Sequence, residues 1–210
     1  MSWFQLDPQS IADRARAAGA LPPSFGASLL RGIAGFTVVS VAGFVPWGVF
    51  AWWFRPRVGE AGLYAACALV FLLASGLLLH RLIIGPGSLS RFYKLFTPAF
   101  AAYSVAWIVG YMTLRGDAGG AVGLLAGTAV MGSMFAAAFG AGREWWKVIG
   151  VLFVLNSLGY FAGGVLEAAL IREHPIGARL SWGVAYGAGL GAGLGLAFHL
   201  CQARARALLK

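Results

Sequence analysis

Few residues in this chain have the type and setting to do chemistry, and Glu167 heads them as the only acid inside a long apolar run. Asn156, Tyr160 and Gly163 precede it at spacings of three or four residues, so all four share one helical face. An ionisable group among apolar residues is a functional-site candidate by default, because it must pair with something or line a wet path. Asn156, Tyr160 and Glu167 therefore carry two readings, a hydrogen-bonded structural stripe or a relay for protons or a small solute. Glu167 falls about 12 Å from the middle of its run, just inside the roughly 15 Å half-thickness of bilayer hydrocarbon.

His80, Arg81 and His199 make a second candidate cluster, at the ends of two other apolar runs. They occupy the opposite leaflet from Glu167, offset by about 20 Å along the membrane normal, which excludes a Glu–His dyad. The alternatives are a His80–His199 pair and two separate polar helix ends. His174 lies in a loop, and three scattered histidines without HExxH-like spacing argue against a metal site. Cys67 and Cys201 fall at different depths and cannot reach disulfide geometry. There is no GxSxG, phosphate loop, CxxC or carboxylate pair, so no motif indicates a cofactor. Gly85-Pro86-Gly87-Ser88 has the composition of a tight turn.

The elements that must position these residues are set by composition. With 60% hydrophobic and 11% charged residues and a mean hydropathy of +0.78, the chain falls far below the roughly 25% charge of a soluble domain. Six apolar runs each suffice to cross about 30 Å of hydrocarbon: 32–54, 62–84, 96–114, 118–139, 148–171 and 180–201. The predicted fold is all-α, a polytopic integral membrane protein built as a bundle of six transmembrane helices. Residues 1–31 form a cytoplasmic or interfacial segment, 32–201 the bundle, and 202–210 a basic tail. The alternation of a membrane β-barrel is absent.

Eleven of the sixteen basic residues fall on the side that holds both termini, which the positive-inside bias makes cytoplasmic. The net charge of +9 then reads as topology and attraction to anionic headgroups, with the lipid bilayer as partner and no nucleic acid. Thirteen arginines against three lysines, with abundant glycine and alanine, suggest a bacterial cytoplasmic (inner) membrane. Trp52 and Trp53, Trp145 and Trp146, and Trp182 fit the headgroup levels. Near the start, Ser10 and Asp13 are spaced as a capping box for a short helix closed by Gly19, Pro22 and Pro23. Trp3, Phe4 and Leu6 are expected to dip into the interface. Pro46 should kink the first span, and Pro98 sits in the first turn of the third.

Glycine patterning points to close helix packing. Gly183, Gly187, Gly191 and Gly195 form one bare stripe on the last span, and Gly189 and Gly193 lie on another, with Trp182, Tyr186, Leu190, Leu194 and Phe198 as the bulky ridge. That span should sit between two partners, since small residues let membrane helices approach closely. Gly119, Gly123 and Gly127 repeat the pattern on the fourth span. The third pairs a small face with an aromatic one, Phe96, Phe100, Tyr103, Trp107 and Tyr111. Such faces serve packing, or leave a groove for a flat lipid, quinone or pigment. Three functions follow: an accessory or self-associating membrane subunit, a small-solute or proton transporter along Asn156, Tyr160 and Glu167, or a lipid- or isoprenoid-modifying enzyme. The missing catalytic constellation favours the first, with other membrane subunits or a second copy as partners.

Overall fold

The computed structural model describes residues 4–210, and among these it is helical with no strand. Helix α1 (Pro8–Ala17) precedes six long helices: α2 (Phe25–Gly48), α3 (Ala51–Leu79), α4 (Ser88–Leu114), α5 (Gly116–Ala138), α6 (Trp145–Leu170) and α7 (Pro175–Cys201). A short α8 (Ala203–Leu208) follows. All six are long and apolar enough to cross a membrane, the third element counted through the 3₁₀ turn His80–Leu82.

The helices form a ring in the order α3, α2, α7, α6, α5, α4. Helix α7 lies between α2 and α6, and its glycines make both contacts. A Cβ built on Gly32 would stand 2.8 Å from the Gly195 Cα and closer still to the Gly191 carbonyl oxygen. On the other flank a Cβ on Gly189 would stand 2.7 Å from the Gly159 Cα. Real side chains do not tolerate such distances to backbone, so these two crossings require glycine. Helix backbones in lipid must close their hydrogen bonds internally, and small residues there let neighbouring helices approach closely. Helix α5 seats α4 in the same way, Gly119, Gly123 and Gly127 lying under Tyr111, Trp107 and Tyr103 respectively.

Half of the ring is solid. Phe92, Phe96, Phe135, Phe139 and Phe198 are fully buried towards the end that carries α1 and α8, and Phe198 packs on Phe92, Phe135 and Phe139 at 5.0–5.8 Å between ring centroids. Helices α1 and α8 close that end, burying Leu6, Ile11, Ala15 and Ala205. The connection after α3 is pinned by Gln202, whose Nε2 donates to the carbonyls of Leu82 (2.8 Å) and Phe198 (2.9 Å) while its Oε1 accepts from the Ile84 N–H (2.9 Å).

Several sequence expectations need correction. The first span ends at Gly48, and Trp52 and Trp53 belong to α3, on a short piece set off by Gly59 at φ +68° and ψ −175°. Pro46 accordingly stands in the last turn of α2, not within its middle. Helix α4 begins eight residues earlier than its apolar run, at Ser88, so Pro98 is interior. The cap of α1 is Asp7, which accepts from the Ser10 N–H at 2.9 Å, and the Ser10–Asp13 box is not used. Leu6 is buried in protein, Phe4 packs on the core, and Trp3 lies outside the described residues. Trp182 stands two turns inside α7 and faces the interior.

Candidate functional site

The half of the ring away from α1 and α8 is hollow. The aromatic stripe of α4 runs from the solid half into it, and α5 explains why it points inward: its glycines bring the two backbones together, as a Cβ on Gly110 lying 2.7 Å from the Gly123 Cα shows. Phe100, Tyr103 and Trp107 are thereby pushed across towards α2, α6 and α7. Trp182 and Tyr186 meet them from α7, stacked on each other at 5.2 Å and 13°. Phe44 from α2 lies 4.8 Å from Trp182, and Tyr160 from α6 lies 5.4 Å from it.

Two adjoining compartments result. The inner one, of about 210 Å³, is bounded by Phe71, Phe100, Tyr103 and Tyr186. The outer one, of about 440 Å³, adds Trp47, Tyr64, Cys67 and Glu167. Phe44, Phe71, Trp107, Tyr160 and Trp182 line both, so the two compartments share a wall. Five helices contribute to it, and only α5 of the six stays out.

The floor is shut. Phe71 stacks on Phe100 at 5.9 Å, and Phe100 on Phe96 at 5.4 Å, leading directly into the solid phenylalanine core. The side is open. Helix α3 meets α4 mainly near its far end, where the Tyr93 hydroxyl donates to the Leu73 carbonyl at 2.6 Å and Gly76 accommodates the Tyr93 ring. Beyond that contact, Tyr64 on α3 and Ile108 on α4 border the cavity while remaining 59% and 48% exposed. The opening faces the outer perimeter of the ring between these two helices.

Polar groups in the site are few. Asn156, fully buried, donates from Nδ2 to the Tyr103 hydroxyl at 2.9 Å, and the Tyr103 and Tyr186 hydroxyls are 3.4 Å apart. The Asn156 Oδ1 and the Trp107 indole N–H are buried without a partner. Because the Tyr103 oxygen accepts from Asn156, its own proton is free for Tyr186 or for a guest in the inner compartment. The Glu167 side chain borders the outer compartment, and its carboxylate forms no ion pair among the described residues.

The stripe of Asn156, Tyr160 and Glu167 is thus brought to one cavity, but at separate levels: Asn156 behind the tyrosines, Tyr160 in the wall, Glu167 at the rim. His80, Arg81 and His199 are not gathered. His80 Nδ1 bonds Ser88 Oγ at 2.8 Å, and His199 Nδ1 lies 3.3 Å from Ser28 Oγ, with no hydrogen bond or ring contact joining the two histidines. Gly183, Gly187, Gly191 and Gly195 face α2, and Gly189 and Gly193 face α6. No group of three metal-ligating side chains occurs among the described residues.

Sequence reasoning missed Phe44, Trp47, Tyr64 and Phe71 as site residues. Each is an ordinary apolar residue in an apolar run, and only the ring order brings it inward. Arg91, one of the eleven basic residues on the side that holds both termini, is buried and donates to the carbonyls of the Gly85–Pro86–Gly87 turn. Comparison with protein-family models, with curated proteins and with solved structures finds no match for this chain.

Proposed function

We propose that this chain is a multi-pass membrane protein, with α1 and α8 on the cytoplasmic side, that binds a ring-bearing, largely apolar ligand from the opposite leaflet. The observation that carries this reading is the cavity walled by aromatic side chains from five helices and open sideways between α3 and α4. Concave sites with mostly aromatic walls and a few placed polar groups suit a ligand that stacks and is oriented by one or two hydrogen bonds. The Tyr103 hydroxyl offers one such bond. Eleven of sixteen basic residues on the α1 and α8 side support the orientation. The arginine-rich composition supports a bacterial inner membrane.

Two other readings are less well supported. A packing subunit would offer its bare faces to a partner, whereas Gly183 to Gly195 and Gly119 to Gly127 are used against α2, α6 and α4 of the same chain. A through-membrane relay would need polar groups on both sides of Tyr103, and below it stand Phe100, Phe96 and Phe92, stacked in series.

Cys67 reports on the site directly. It lines the outer compartment and is partly accessible, while Cys201 is buried. With protein in lipid nanodiscs, a lipophilic maleimide should label Cys67 and spare Cys201. Ser104 lines the inner compartment, and Ser104→Trp should fill it. The variant should lower at least fivefold the amount of small molecule that co-purifies, read by mass spectrometry of the extract. Retention of the same molecule at the same level by Ser104→Trp would defeat the proposal.

A further inference from the structure

We propose that the ligand of this cavity is an amphipathic organic cation, with its charge held at the outer compartment beside Glu167 and its apolar part in the inner one. The inference rests on the ligand-cavity reading and narrows it to one charge class.

Glu167 is the only carboxylate on the lining, which it shares with the rings of Trp47, Tyr64, Trp107, Tyr160 and Trp182. The face of an indole or phenol ring is electron-rich, so each attracts a cation brought within about 6 Å of its centroid. An ion-pair-free carboxylate in one compartment with such rings is complementary to positive charge. The ion pairs among the described residues, Arg16–Asp13, Arg55–Glu60 and Lys147–Glu144, leave Glu167 out. A neutral guest would shield this carboxylate from water without compensating it, and an anion would be repelled by both carboxylate and rings.

The chain's own cations do not supply the missing charge. Arg179 is the basic side chain nearest in contact with this group of rings. Its guanidinium stands 5.2 Å from the Trp47 centroid and lies 3.4 Å from the Gly48 carbonyl oxygen to which it donates, and it is not part of the lining. That contact shows that the ring group already attracts a guanidinium. The two compartments also differ in the sense an amphiphile needs. The inner one is closed by phenylalanine and tyrosine, whereas the outer one ends three residues before the C-terminus of α6. A charge held there stays at headgroup depth, where it loses least hydration.

The test uses benzyltrimethylammonium and its uncharged carbon isostere neopentylbenzene as probes. Binding to the full chain, in nanodiscs of phosphatidylglycerol, is read by quenching of tryptophan emission. The cation should bind at least tenfold more tightly than the isostere. Glu167→Gln should abolish that preference by weakening the cation, while the isostere binds at least as tightly as before, which also shows that the variant is folded. Equal binding of the two probes by the unmodified protein would overturn the cation inference and leave the cavity reading standing. Binding of neither would overturn both. Adding a choline phospholipid at constant phosphatidylglycerol fraction, in place of a neutral non-choline lipid, separates the sources of the cation with the surface potential held fixed: weaker probe binding there marks a lipid headgroup as occupant, and unchanged binding a free amphiphile.

Discussion

At the scale of single residues, the packed core and the proposed binding cavity lie in different halves of the ring. Phe198 touches three other buried rings, and aromatic pairs contribute about 0.5–1.5 kcal/mol each beyond the area they bury. Phe198→Ala should therefore cost about 3–5 kcal/mol, measured by denaturant titration in detergent. Tyr186→Phe should cost far less, because the Tyr103 hydroxyl keeps its bond from Asn156. Gln202 is a sharper case. Its amide satisfies three backbone groups at once, and Gln202→Leu would leave the Ile84 N–H and Leu82 carbonyl buried without partners. A loss of about 1–3 kcal/mol is expected for each stranded group, with faster hydrogen exchange at Ile84 as the local signature. Neither role was legible in the sequence. A glutamine just past an apolar run reads as a polar end, and one phenylalanine among fifteen reads as any other.

At the scale of helices the sequence was more informative, because glycine spacing survives without knowledge of the partner. The bare stripe of Gly183 to Gly195 required a close neighbour, and the flanking stripe of Gly189 and Gly193 a second one. Which helices they are depends on ring order, which spacing cannot encode. The complementary positions, Gly32 and Gly159, look unremarkable in their own runs. Helix ends were the least readable feature, since turn-formers such as Pro46 and Gly59 act through backbone angles while hydropathy runs on past them. The packing predicts a contrast between glycines. Gly191→Ala drives a methyl group into the Gly32 carbonyl and should destabilise by about 1–3 kcal/mol. Gly164→Ala meets nothing within 4 Å and should be neutral or stabilise by about 0.5–1 kcal/mol, from helix propensity alone. Equal melting temperatures for the two variants would contradict the close α2–α7 approach.

For the whole molecule, six apolar helices and the absence of strands among the described residues followed from composition and run length, which hydropathy reads well. The cavity did not, because a hollow is a property of the ring and not of any segment. Orientation is open to direct measurement. An impermeant maleimide added to intact cells should fail to label a cysteine introduced at Arg143 and should label one introduced at Glu173. The contact between α1 and α8 has a further consequence, for synthesis. Arg16 donates to the carbonyl of Leu208, a residue 192 positions later in the chain. At about 5–20 residues per second, α1 emerges from the ribosome some 10 to 40 s before the segment it rests on. During that interval the side of α1 that rests on α8 stays uncovered, and the lid over the phenylalanine core cannot close until α8 has been made.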